Sequence, residues 1–138
     1  MKRGLVVVGV VAFLWVAATA PASAHHSFAA EFDRNLPVNV TGSVTKVEWA
    51  NPHARFYIDA KDEEGKTVNW DFELASPNGL MRRGWTRNSM KIGDVVTVTG
   101  YRAKNHPHVG NASTVTLADG KKLFAGSSGE AGGEGATQ

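Results

Sequence analysis

The chain has no cysteine. Thiol catalysis, thiolate metal sites and disulfide staples are therefore excluded, and the fold must hold by its core alone. Familiar catalytic signatures are missing as well. There is no G-x-S-x-G, no H-E-x-x-H and no glycine-rich phosphate loop. Ser76, directly before Pro77, reads as a helix cap rather than a nucleophile. The expectation is a protein that is not an enzyme. No apolar run is long enough to cross a bilayer: the longest, from Leu5 to Ala18, falls short of the roughly 20 residues a spanning helix needs. An excess of one charge is also lacking. The 15 basic residues face 13 acidic ones, and removing Lys2 and Arg3 leaves 13 of each sign. Nothing in that balance points to nucleic acid.

What is present starts with a leader. Met1-Lys2-Arg3 is basic, an apolar stretch follows, and Ala22-Ser23-Ala24 places small residues at the −3 and −1 positions before His25. That is the grammar of a secretory signal peptide over residues 1–24, which implies a periplasmic or secreted protein with no membrane span after cleavage. At the other end, residues 125–138 read AGSSGEAGGEGATQ and hold no branched aliphatic or aromatic side chain. Such a segment reads as a flexible tail, because it buries too little to offset its ordering entropy. Residues 25–124 form the expected domain.

Within that domain the apolar period is two. Val38, Val40, Gly42 and Val44 alternate, then Val47 and Trp49 continue on the opposite parity, which predicts a bulge near Thr45-Lys46. Ala54, Phe56, Ile58 and Ala60 alternate with polar residues, as do Val68, Trp70, Phe72 and Leu74 across the turn Asp62-Glu63-Glu64-Gly65-Lys66. These two runs predict a β-hairpin. Ser76-Pro77 opens a short helix of two or three turns with Leu80, Met81 and Trp85 on its apolar face. Val95–Tyr101 is a strand with Val96 and Val98 on one face. A polar loop spans 102–111, a strand follows at 113–117, and a short last one at 121–124. The expected class is all-β with one short helix, in the order β-β-β-α-β-β of a small OB-like β-barrel. The alternative is an open sheet with a packed helix.

The residues from Ala24 to Phe124 resemble an uncharacterised family of small exported bacterial proteins, a domain of unknown function. The resemblance is carried by Ala24-His25-His26-Ser27-Phe28 ahead of Glu31-Phe32-Asp33, by Val44 to His53 with its W-x-N-P-H, and by Gly93 to Gly100. It implies no activity. A remoter similarity, through the GDxVxVxG strand, is to periplasmic OB-fold proteins.

The histidines are the chemistry most worth weighing. His25 and His26 open the expected mature chain, His53 precedes the second strand, and His106 and His108 share the 102–111 loop. With no thiolate present, an all-nitrogen site suits Cu(II), Ni(II) or Zn(II). Cleavage after Ala24 would let His25 offer its α-amine and ring nitrogen together, similar to the histidine brace of copper proteins. The competing reading is a solvated His-His end, a turn in which His53 hydrogen-bonds the backbone, and exposed loop imidazoles. Asp71 and Glu73 read as a solvated strand face rather than an acid–base pair. Arg82, Arg83 and Arg87 gather at the helix end, where cations complement the dipole. Trp49, Trp70 and Trp85 belong to the core or its rim, and a tryptophan at a barrel mouth can stack a ligand. Three functional readings stand: an exported module binding copper or a similar metal ion through His25, His26, His53, His106 and His108; a metal-free OB-type module binding a periplasmic protein or small ligand; and, least favoured, an enzyme.

Overall fold

The computed structural model describes residues 28–126; the expected leader, His25, His26 and most of the expected tail lie outside them. A helical turn at 28–31 leads into β1 (Phe32–Glu48), then β2 (Arg55–Lys61), β3 (Thr67–Glu73), α1 (Pro77–Arg82), β4 (Val95–Ala103), β5 (Val109–Thr116) and β6 (Lys122–Phe124). The strands form one mostly antiparallel sheet in the order β3-β2-β1-β4-β5-β6. β3 also pairs in parallel with β5, through Asp71 with Val109, Phe72 with Gly110 and Glu73 with Asn111, so the row of ladders returns on itself.

β1 serves two neighbours in succession. Its first part, from Pro37 to Ser43, pairs with β4, and its second part, from Gly42 to Glu48, pairs with β2. The exchange happens at Gly42, where an added Cβ would stand 2.4 Å from the Asp59 carbonyl oxygen. Only glycine lets three backbones meet this closely. Two residues on, the β1–β2 register slips between Val44 and Lys46. This is the bulge that the change of parity implies: Thr45 is the extra residue, and Val44 before it and Val47 after it both point toward the core.

The core follows the period-two sets. Ala54, Phe56, Ile58, Phe72, Leu74, Val96, Val98 and Val115 are buried around Leu80 and Trp85. Phe56 and Phe72 stack with centroids 5.6 Å apart. Burying a side chain of this size removes about 2 kcal/mol worth of apolar surface from water, the main driving force here.

Local signals hold at the helix and depart from expectation beyond it. The Ser76 side chain accepts from the Gly79 amide and Pro77 occupies the first turn. The helix is only six residues long, however, and Met81 faces solvent instead of the core. The chain turns away through Gly84, at φ 92°, before the apolar face can complete a second turn. The loop expected over 102–111 shrinks to 104–108, because Tyr101 and Arg102 pair with Asn111 and Gly110. β6 is the short last strand expected at 121–124, and it stands beside the five strands of the expected OB-like order. Ala125, expected in the tail, is buried. Its amide donates to the Ser113 carbonyl and its carbonyl accepts from the Ala75 amide.

Candidate functional site

The division of β1 opens a cleft. β2 ends at Lys61, paired with Thr67 of β3, while β1 before Gly42 belongs to β4. Among the described residues, no strand lies between Val38 and Val40 on one side and Val68 and Trp70 on the other. The resulting cleft has a volume of about 350 Å³, within the range of small-ligand sites. Its walls are those four half-buried side chains, and Asn39, Thr41, Lys61, Asp62, Glu63 and His108 form its rim. All four apolar residues stand in the alternating sets of β1 and β3, so alternation alone reads them as core.

Trp70 is held from two directions. Its indole stacks on the Phe72 ring, with centroids 5.3 Å apart and planes 7° from parallel. The His108 imidazole meets it edge-on at 5.4 Å and 75°. His108 is itself fixed by the backbone, since its carbonyl accepts from the Asp71 amide at 3.0 Å. Asp62 uses one carboxylate oxygen to accept from the Glu64 and Lys66 amides, which closes the hairpin turn at the rim. A preset aromatic face beside an imidazole, apolar walls and a charged rim suits a flat apolar group or a sugar ring with polar edges.

A second polar cluster lies on the outer face of β2 and β3. Arg55 donates from Nε and Nη2 to both carboxylate oxygens of Asp71, each at 3.0 Å, and from Nη1 to Glu73 at 3.3 Å. Beside it, Tyr57 donates to Glu48 at 3.2 Å, and Glu48 pairs with Lys46. Asp71 and Glu73 are therefore half-buried partners of one guanidinium, not a solvated face, and the clamp on Arg55 had no local sequence signal. Burial pushes the Glu73 carboxyl above its ordinary value; His53 and Arg55 oppose the shift, while Glu31 and Asp71 add to it.

The histidines are spread out. His53 is half-buried and its Nδ1 lies 3.0 Å from the Leu74 carbonyl oxygen, the backbone bond that the turn reading anticipates. The same nitrogen is 3.8 Å from Glu73. His106 is exposed in the 104–108 loop, and His108 lies against Trp70. The structure does not bring these three together, and among the described residues no three His, Asp or Glu side chains are grouped to hold a metal ion. His25 and His26 lie outside the described residues. The chain that follows them is anchored: Phe28 is buried against Phe32 and Tyr101, the Glu31 carbonyl accepts from the Lys104 amide at 2.9 Å, and the Ala29 carbonyl accepts from Lys104 Nζ.

No helix among the described residues is long and apolar enough to cross a membrane. Residues 12–112 match the sequence profile of a family of unknown function (DUF6152). No curated protein matches the chain, and no solved structure does.

Proposed function

The chain belongs to this family of unknown function, and we propose that it is an exported, periplasmic binding module with an OB-like barrel, taking a small ligand in the cleft between β1 and β3. The cleft carries the reading. It is concave, apolar at its walls, polar at its rim, and already lined by an oriented indole. The barrel reading is supported by the pairing sequence β1-β2-β3-β5-β4-β1, the closed order of an OB-fold. The ligand is a ring compound that stacks on Trp70. The test is a binding titration with indole and methyl β-glucoside as probes. Saturable binding that is lost in Trp70→Ala supports the proposal. Binding unaffected by that substitution contradicts it.

A second reading, copper binding, has one observation in its favour. Lys104 ties Ala29 and Glu31, which follow His25 and His26 closely in sequence, to the loop carrying His106. The α-amine and ring of His25, with His26 and His106, would then supply the nitrogen ligands, and His53 and His108 would stay structural. Cu(II) affinity of the cleaved chain should fall when one alanine is added before His25. Equal affinity, or none beyond a denatured control, contradicts this reading.

A further inference from the structure

The carboxylates of the domain are unevenly placed. Carboxylates crowd the β2–β3 side: Asp59, Asp71 and Glu73 on the strands and Asp62, Glu63 and Glu64 in their turn. Residues 74–93 contain no acid at all, yet carry Arg82, Arg83, Arg87 and Lys91. None of these four cations is in any of the salt bridges among the described residues.

The same stretch of chain exposes apolar side chains. The large ones left in solvent among the described residues are Met81 at 52 %, Ile92 at 74 %, Val95 at 59 % and Phe124 at 39 % exposure. Three lie within residues 81–95. Phe124 joins them through Arg83, whose guanidinium sits 4.6 Å from the centre of its ring and donates to the Gly126 carbonyl. The two segments are adjacent, since a groove of about 340 Å³ is lined by Gly84, Lys91 and Asp94 on one side and Asp119, Lys121 and Leu123 on the other. Its two carboxylates accept from the Lys91 and Lys121 amides and keep their negative charge. Lys121 and Lys122 add two more exposed cations.

Isolated exposed apolar residues need no explanation, but these coincide with the acid-free, unpaired basic stretch. Cations that stay hydrated around side chains able to enter the acyl boundary are the composition of a peripheral lipid-binding surface. An acidic protein would satisfy the cations and leave Met81 and Ile92 unexplained. We infer that the α1 end of the domain docks on an anionic phospholipid surface, with Met81 and Ile92 entering the interface and Arg82, Arg87 and Lys91 meeting the headgroups. The cleft between β1 and β3 is a separate surface, so docking leaves it free to bind.

The test is co-sedimentation of the full chain with vesicles of phosphatidylcholine containing 30 % phosphatidylglycerol, that lipid fraction being roughly the anionic content of a natural leaflet. Each cation near such a surface is worth about fivefold in partition, so Arg82→Gln with Arg87→Gln should weaken binding about 25-fold and reduce its salt dependence. Met81→Ser with Ile92→Ser should weaken it further at high salt, where the headgroup attraction is screened. A retained leader contributes equally to parent and variants, so the ratio isolates this end of the domain. All four positions are exposed, and an unchanged thermal midpoint establishes that the variants fold. Equal partition of parent and variants overturns the inference. So does binding of these vesicles no stronger than of pure phosphatidylcholine, or capture of an acidic peptide or of a second copy of the chain without vesicle binding.

Discussion

His108 meets Trp70 edge-on, ring centroids 5.4 Å apart and planes 75° from each other. This contact joins the loop before β5 to the middle of β3 and sets the back wall of the cleft. The Phe72 ring completes the support from the core side. An indole fixed in this way lines the cleft with little conformational entropy left to lose on binding.

Trp70→Ala removes that indole and part of the support for Phe72. Trp70 is half-buried, so the cost should be about 2 kcal/mol, below the range for fully buried aromatics. Urea denaturation measures it. A loss near zero would mean that the indole does not rest on the core as described.

Gly42→Ala tests the hinge that opens the cleft. The new methyl would meet the Asp59 carbonyl oxygen at 2.4 Å, and that oxygen belongs to backbone. One of the two ladders of β1 must give way, at a cost of about 2 kcal/mol or more. Amide hydrogen exchange should show protection lost around Gly42–Ala60 before it is lost elsewhere. Unchanged stability would place the exchange of β1 between partners at another residue.

Glu73 gives a pH dependence with a definite sign. Its carboxyl titrates above the ordinary 4.5 in the fold because burial disfavours the charged form. The folded protein thus holds this proton more tightly than the unfolded chain. The contribution is fully present below 4.5 and is lost as pH rises through the raised value. Glu73→Gln cannot titrate. The stability difference, parent minus variant, should therefore fall as pH rises from 4 toward neutrality, measured by urea midpoints. A flat difference, or one rising with pH, contradicts the assignment.

The His53 bond to Leu74 is a smaller test. His53→Ala should cost about 1 kcal/mol, the usual value of one hydrogen bond to a backbone carbonyl. Nitrogen NMR should find the proton on Nδ1, leaving Nε2 as the free acceptor. A proton on Nε2 would mean that the carbonyl is not its partner.

Much of the fold was legible locally. Alternation marked Phe56, Ile58, Phe72 and Leu74 as inward, the parity change located Thr45, and Ser76-Pro77 marked the helix start. Partner choice was not legible, because pairings such as Glu73 with Asn111 join residues far apart in sequence and leave no periodic trace. The cleft was hidden for the same reason. Val38, Val40, Val68 and Trp70 carry the pattern of core residues, and only the departure of β1 from β2 leaves them uncovered. Ala125 escaped because an alanine among glycines has no local mark of burial; its place is set by backbone bonds to Ala75 and Ser113. The histidine reading was legible as chemistry but not as geometry, since His53, His106 and His108 each found different neighbours.

The most direct measurement of the central claim is an amide and indole NH spectrum of the isotope-labelled protein, titrated with indole and with methyl β-glucoside. The expected result is saturable shifts, for at least one probe, at Val38, Val40, Val68, His108 and the Trp70 side chain, abolished by Trp70→Ala with the rest of the spectrum intact. Shifts confined to other surfaces, or the same shifts persisting in Trp70→Ala, would contradict the cleft as the binding site.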